Sequence, residues 1–254
     1  MIKLQSLGQV GYRLDILDTI IYIDPYLSNS VQKKEDAGMT RLIPIPMMPS
    51  QVKDADYVLI THSHRDHCDE DTLIPLAKAS PNCKFVAPVT VGNYLCHLGI
   101  NLHRIVFIKE NPIQISNKIK LYPVPSAHPT IKMNIEGGWD CIGYVIEIEN
   151  KRLYHAGDTS VNKELIAYLK KFGNINIGFI PVNEHNYYRE RRGIIGNMSV
   201  RDAFMFAEEI GIKVFIPTHW DMFAANQVYQ EELELLYNKL KPSFKLLFNP
   251  TALC

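Results

Sequence analysis

The chain has 254 residues, of which 46% are apolar, and its 27 basic side chains are balanced by 27 acidic ones. This length allows a full hydrophobic core, and layered folds of this size commonly form one domain, so we expect a single domain over residues 1–254. The balanced charge argues against a dedicated nucleic-acid-binding protein.

The N-terminus and the cysteines indicate the compartment. Residues 1–8 contain no long apolar run before a small-residue cleavage site, and no later segment is apolar for long enough to span a bilayer. Five cysteines, an odd number, are scattered along the chain, which is typical of a reducing compartment. We therefore expect a cytoplasmic protein without membrane contact, and we leave open whether it forms a homo-oligomer.

Short strands begin the chain. Alternating and β-branched apolar residues predict strands over residues 2–6, 12–17 and 20–23. Asp24 ends the third strand, where it could either hold a metal-site histidine in place or cap the turn before the next proline. Residues 28–50 show neither helical nor strand periodicity, which predicts a long loop that could form one wall of a pocket.

Three imidazoles and a carboxylate lie within residues 61–67, Thr-His-Ser-His-Arg-Asp-His, which follow a predicted strand over residues 57–60. On a strand, His62 and His64 would share one face, because side chains alternate with a period of two. Asp66 and His67 follow where the chain turns, so they can face a second point. One loop can therefore serve two neighbouring metal ions. Imidazole and carboxylate suit zinc, manganese or iron, and no cysteine lies at zinc-finger spacing, which favours a catalytic over a structural site.

Five helices and nine strands are predicted after residue 67. The predicted helices cover residues 72–78, 91–98, 164–171, 200–210 and 231–240. The predicted strands cover residues 84–87, 104–109, 113–115, 119–124, 142–148, 152–155, 177–182, 214–217 and 244–248. Strand-rich halves that each join to helices indicate two sheets packed face to face with helices outside.

Several further features have less definite roles. Residues 129–140 contain two glycines and a tryptophan and are a candidate lid. Cys68 directly follows the histidine cluster and could be a ligand, although packing is favoured because the imidazoles suffice. His97 and His103 fall outside every motif, and we expect them to be surface or structural histidines.

Four motifs, in their order along the chain, resemble those of the metallo-β-lactamase-fold hydrolases. They are the His-x-His-x-Asp-His run, Ser126-Ala127-His128-Pro129, Gly157-Asp158-Thr159 and Pro217-Thr218-His219. The resemblance covers nearly the whole chain and implies an α+β fold, a four-layer αββα sandwich. It also implies a metal-dependent hydrolase that uses one or two divalent ions, Zn²⁺ or Mn²⁺.

The same resemblance assigns the metal ligands. The first ion would be bound by His62, His64 and His128, the second by Asp66, His67 and His219, with Asp158 as the bridge. Such a site lowers the pKa of a bound water towards neutrality and so supplies a metal-activated hydroxide. Asp66 would be the catalytic residue that orients this water or carries its proton.

Residues 181–199 and 217–227 resemble the L-ascorbate-6-phosphate lactonases more than the lactamases. Gly193-Ile194, Met198-Ser199 and the stretch from Pro217 to Asn226 lie in corresponding positions. The resemblance implies a lactonase that opens a phosphorylated sugar-acid lactone, with a small anionic substrate as the partner. The candidate substrate contacts are Asn183, Glu184, Arg192 and Asn226.

Two alternatives stay open at this point. A phosphodiesterase or nuclease could use the same site, and it would bind nucleic acid with a steep salt dependence. A non-catalytic metal-dependent protein would instead bind its ligand and release it unchanged.

Overall fold

The structure of the chain is a computed structural model that describes residues 2–253. Within these residues, fourteen strands form two seven-stranded sheets. The strands are β1 (Ile2–Gly8), β2 (Gly11–Ile16), β3 (Thr19–Ile23), β4 (Tyr57–Leu59), β5 (Lys84–Ala87), β6 (Ile105–Phe107), β7 (Ile113–Ser116), β8 (Ile119–Pro125), β9 (Ile142–Ile148), β10 (Lys151–His155), β11 (Ile175–Pro181), β12 (Ile212–Thr218), β13 (Lys245–Leu246) and β14 (Ala252–Leu253). The first sheet has the order β14-β1-β2-β3-β4-β5-β6, and the second has the order β13-β12-β11-β10-β9-β8-β7.

Helices cover the outer face of each sheet. The helices of the described residues are α1 (Ser30–Lys34), α2 (Glu70–Ala79), α3 (Val89–His97), α4 (Lys163–Lys170), α5 (Tyr187–Glu190), α6 (Val200–Glu209) and α7 (Gln230–Leu240), and the covering ones are α2, α3, α4, α6 and α7. Apolar residues of α2 and α3 share a buried cluster with the first sheet, and those of α4, α6 and α7 share one with the second. A third cluster lies between the sheets. The predicted four-layer αββα sandwich is confirmed. No helix of residues 2–253 combines the length and the apolar character that a membrane span requires.

Strand direction gathers the ends of several strands at one edge of the sandwich. In the first sheet, β3 and β4 are parallel, so their carboxyl ends lie at the same edge. In the second sheet, β10, β11 and β12 are parallel, and β8 runs in their direction because β9 is antiparallel to both β8 and β10. The loops that follow these strands therefore meet at one place.

Two regions differ from the expectations drawn from the sequence. Residues 28–50 are not loop throughout: they hold the short helix α1 and end in a 3₁₀ turn at Pro49–Gln51. A local side-chain contact supports α1, because the Tyr26 hydroxyl accepts a 3.0 Å hydrogen bond from the backbone N–H of Val31. The strand predicted over residues 244–248 is not the last one, since β14 follows it and pairs with β1 at the edge of the first sheet. A strand of two residues has no periodicity to detect.

The predicted lid, residues 129–140, packs on the body of the protein instead of closing over a site. Trp139 meets Tyr168 edge to face, with 5.7 Å between ring centroids, and Lys109 donates a 2.6 Å hydrogen bond to the carbonyl of Glu136. No residue of this segment lines the cavity described below.

Candidate metal centre

All seven predicted metal-binding side chains come together at the edge of the sandwich where the carboxyl ends of the parallel strands of both sheets lie. They form two neighbouring groups, and the potential ligand atoms within each group lie within 4.8 Å of one another. The first group is His62, His64, His128 and Asp158, and the second is Asp66, His67 and His219. Loops of the first sheet carry His62, His64, Asp66 and His67, while loops of the second carry His128, Asp158 and His219.

Asp158 lies between the two groups. Its Oδ2 atom is 3.6 Å from Nε2 of His128 and 3.4 Å from Nε2 of His219, and its Oδ1 atom is 3.4 Å from Nε2 of His67. One carboxylate thus contacts imidazoles of both groups. This is the arrangement that a ligand bridging two ions requires.

The donor atoms in the centre fit divalent ions. Nε2 of His62, Nε2 of His67 and Oδ1 of Asp158 are buried and have no hydrogen-bond partner. Buried polar atoms are rarely left without one, since each costs about 1–3 kcal/mol. A set of imidazole and carboxylate donors suits zinc, manganese or iron. Ions held by these side chains would satisfy the unpaired atoms.

The protonation of the histidines differs between the groups. Burial lowers the pKa of His62 well below its usual value and that of His128 to about 4, which keeps both imidazoles neutral and able to bind metal. Burial acts in the same direction on His219, but the carboxylates of Asp158 and Asp66 outweigh it and raise its pKa to about 9. The second group therefore stabilises positive charge, which a cation would supply.

Asp24 stabilises the loop of residues 61–67 through buried hydrogen bonds. It is fully buried; its Oδ1 accepts a 2.8 Å bond from the backbone N–H of Thr61, and its Oδ2 accepts bonds from the Thr61 hydroxyl (2.6 Å) and from Nδ1 of His67 (2.8 Å). The proton on Nδ1 directs Nε2 of His67 into the centre. Of the two roles considered for Asp24, the structure shows the one that supports a metal-site histidine.

Gly157 allows Asp158 to approach the loop of residues 61–67. Its φ is +59°, and a Cβ atom at this position would lie 2.9 Å from Cβ of Thr61. Only glycine combines this backbone conformation with so close an approach. The Gly-Asp pair thus does more than form a turn, because it brings Asp158 against the loop that carries His62.

The centre opens into a cavity of about 320 Å³. His64, Asp66, Asp158 and His219 form its polar floor, and other parts of the chain supply apolar walls. The apolar lining residues are Val31, Met39, Ile194, Ile195 and Phe223. Part of residues 28–50 therefore does form a wall. A cavity of this size suits a small-molecule ligand.

The predicted substrate contacts are divided between the cavity and its surroundings. Asn226 lines the cavity, whereas Asn183 is buried behind it and donates a 3.0 Å hydrogen bond to Oδ1 of Asn226. Glu184 and Arg192 are exposed and do not line it. The Arg192 guanidinium lies instead over the ring of Tyr188, 3.9 Å from its centroid, because it also donates a 2.9 Å hydrogen bond to the carbonyl of Tyr188.

Two residues of the site had not been predicted from the sequence. Arg65 lines the cavity, where its Nε donates a 3.0 Å bond to Glu35 and its Nη1 a 3.4 Å bond to Glu70. Its place inside the histidine motif is a signal that could have identified it. Gln9 is buried against Asp66 and His219, and nothing in the local sequence marks it.

The remaining candidates lie outside the ligand groups. Cys68 lines the cavity but is not one of the clustered ligands, and burial raises the pKa of its thiol, so it stays protonated and behaves as a packing residue. His97 and His103 are exposed on the surface, as predicted. The C-terminal Cys254 lies outside the described residues.

The sequence matches a known family over most of its length. A family model described as a beta-lactamase superfamily domain matches residues 19–220. The chain belongs to this superfamily. The chain is 25% identical over 236 residues to a metal-dependent hydrolase of Pyrococcus abyssi, with 93% of this chain and 92% of that protein covered.

Two further relatives extend the comparison. The chain is 24% identical over 246 residues to a probable L-ascorbate-6-phosphate lactonase of Salmonella heidelberg, with 89% of this chain and 68% of that protein covered. The structure of a possible metal-dependent hydrolase from Veillonella parvula shares the fold, with a TM-score of 0.76, 17% identity and coverage of 99% and 97%. The family match and the clustered candidate ligands together identify this chain as a metal-dependent hydrolase of the metallo-β-lactamase fold.

Proposed function

We propose that this hydrolase opens the ring of a small lactone that carries an anionic group, such as a phosphorylated sugar-acid lactone. The observation that carries the proposal is the cavity itself, which has the two ligand groups at its floor and Arg65 in its wall. The similarity to a probable L-ascorbate-6-phosphate lactonase supports the choice of substrate class.

Arg65 supports an anionic substrate. Among the described residues that line the cavity, it alone is a lysine or arginine. Its hydrogen bonds to Glu35 and Glu70 use Nε and Nη1, so the second terminal nitrogen is available for a ligand oxygen. A guanidinium fits the geometry of a phosphate better than an ammonium does. The substrate contact expected at Arg192 is thus proposed for Arg65 instead.

The side chains of the floor have defined tasks in lactone hydrolysis. Divalent ions held there would polarise the ester carbonyl and make water a nucleophile at neutral pH. Asp66, which borders both the cavity and His219, would accept the proton of the attacking water. The bond between the acyl carbon and the ring oxygen breaks, and the same proton passes to the leaving alkoxide. The product is an open-chain hydroxy acid.

The test is hydrolysis of L-ascorbate 6-phosphate by protein loaded separately with Mn²⁺ and with Zn²⁺. We expect turnover that His64→Ala abolishes and that His97→Ala, an exposed histidine far from the motifs, leaves unchanged. Arg65→Gln is expected to raise KM for the phosphorylated lactone more than for an unphosphorylated one, because it removes the charge that would bind the phosphate.

Three results would contradict the proposal. Turnover that survives His64→Ala or complete metal removal would exclude the clustered ligands as the catalytic centre. Binding of lactones without turnover in the folded, metal-loaded protein would make it a binding protein. Hydrolysis of phosphodiesters but not of lactones would indicate a phosphodiesterase.

A further inference from the structure

Gln9 is held rigidly beside the second ligand group. It follows β1 in the turn before β2, and only 4% of it is exposed. Its backbone N–H donates a 3.1 Å bond to Asp221, and its carbonyl accepts a 2.8 Å bond from the backbone N–H of His219. In the same turn, Nε2 of His155 lies 2.8 Å from the carbonyl of Val10. The main chain of Gln9 is therefore fixed.

The end of the Gln9 side chain contacts two ligand atoms of one group. Its amide nitrogen lies 2.7 Å from Oδ2 of Asp66 and 3.2 Å from Nε2 of His219. Ligand atoms that share one divalent ion at bond lengths of about 2.1 Å lie roughly 3 to 3.5 Å apart. The two contacts place the amide group where a further ligand of the Asp66, His67 and His219 group would lie.

The orientation of this amide depends on the charge that it faces. Without a cation, the N–H donates to the carboxylate of Asp66. With a cation between Asp66 and His219, an N–H would direct positive charge at positive charge. A half turn of the amide exchanges nitrogen and oxygen at nearly the same positions and presents the carbonyl oxygen instead. The oxygen is thus the favourable partner for an ion.

We infer that Gln9 supplies a carbonyl oxygen ligand to the ion held by Asp66, His67 and His219. The inference rests on the proposed function only in requiring that ions occupy the centre. With Asp158 counted for both ions, the added oxygen gives this ion five protein ligands against four for the first ion, and it shifts the preference of the group from zinc towards manganese. Neither the family match nor the clustering of histidines and carboxylates assigns this residue a role.

The test measures ion binding and coordination without using turnover. Metal-free protein is titrated with Mn²⁺, using the electron paramagnetic resonance signal of the free ion, and the visible absorption of the Co²⁺-loaded protein reports coordination number. The variants are Gln9→Leu, which removes the oxygen, and Gln9→Glu, which keeps one. Gln5→Leu, on the same hairpin, is the matched control. Thermal melting of each metal-free variant verifies its fold.

We expect wild type and Gln5→Leu to bind two ions. Gln9→Leu should bind one of them at least about tenfold more weakly, since even residues that only support a metal ligand contribute about 10- to 100-fold. Its Co²⁺ bands should intensify because the coordination number falls, whereas Gln9→Glu should retain both the affinity and the wild-type band intensity. Unchanged bands in saturated Gln9→Leu would overturn the inference and leave the proposed function standing. Wild-type protein that binds no ion would overturn both.

Discussion

Nδ1 of His219 lies 3.2 Å from the side-chain amide of Asn226. Asn226 is the first of three hydrogen-bonded asparagine side chains that form a row. Asn183 donates to Asn226 at 3.0 Å, and Asn197 donates to Asn183 at 2.8 Å. A histidine that binds metal through Nε2 carries its proton on Nδ1, so in the metal-bound protein Asn226 would turn its oxygen towards His219, and Asn183 and Asn197 would turn with it to stay hydrogen-bonded. Asn183 and Asn226, which sequence similarity suggested as substrate contacts, thus also connect a buried row of amides to the centre.

Replacing Asn226 with leucine should therefore weaken metal binding. Loss of the partner that fixes the His219 tautomer is expected to lower ion affinity about 10- to 100-fold, whereas Asn226→Asp keeps an acceptor and should retain it. Calorimetric titration of the metal-free variants measures the effect, with the exposed Asn93→Leu as the control. Unchanged ion affinity together with a raised KM would show that Asn226 acts on the substrate alone.

Gly157 and Gly173 offer a matched pair of substitutions. Both have positive φ, +59° and +68°, but an added Cβ meets Thr61 at position 157 and has nothing within 4 Å at position 173. Gly173→Ala should lower the free energy of unfolding by about 1–2 kcal/mol, the cost of a left-handed backbone. Gly157→Ala should cost more and also weaken ion binding, because Asp158 is displaced. Urea unfolding and metal titration would refute this if the two variants behaved alike.

Removing metal should destabilise the folded protein. A ligand that binds only the folded state adds about 2.7 kcal/mol when its concentration is 100 times its Kd. Treatment with a chelator should therefore lower Tm, and restoring Mn²⁺ or Zn²⁺ should raise it again. The shift should be smaller in His64→Ala. A Tm that does not respond to chelation in metal-loaded wild type would contradict the assignment of the centre.

The acid dependence of stability should include a contribution from Asp54, which belongs to neither ligand group. Partial burial would raise the pKa of its carboxyl, but hydrogen bonds from Arg13 at 2.6 Å and from Tyr22 at 2.9 Å prevail and lower it. The stabilisation is therefore present above the pKa that the Asp54 carboxyl has in the unfolded protein, about 3.9. It is lost as the pH falls through the lower pKa that this carboxyl has in the folded protein.

Asp54→Asn should accordingly be less stable than wild type near neutral pH and should converge with it in acid. Because Asp54 is about half exposed, the difference at neutral pH is expected to be at most about 1 kcal/mol. Urea unfolding as a function of pH measures it, with the exposed Asp18→Asn as the control. A difference that grows as the pH falls would contradict the assignment.

The clustering of the candidate metal ligands could be predicted because each motif follows a strand. Strands that share a direction end at one edge of a sheet, so His128, Asp158 and His219 meet although they are distant in the sequence. Gln9 could not be found in this way. Its contacts, Asp66 and His219, are 57 and 210 positions away along the chain, and a glutamine in a hairpin turn resembles any other polar turn residue.

The substrate side of the site was harder to predict for a related reason. Arg65 and Arg192 both lie in polar segments, and the sequence does not show which arginine faces the cavity. That depends on side-chain partners: Glu35 and Glu70 hold Arg65 at the cavity, whereas Tyr188 holds Arg192 outside it. Such pairings arise from tertiary packing and have no local periodicity.

The ligands of each group come from both sheets, and this has a consequence for how the sandwich opens. His62 and His64 belong to the first sheet, and His128 and Asp158 to the second, so one ion would join the two halves of the chain as a cross-link. A cross-link between distant segments closes a large loop and reduces the freedom that the sheets gain when they separate. The ions would therefore oppose separation of the two sheets, and the proposed catalytic centre would also stabilise the contact between them.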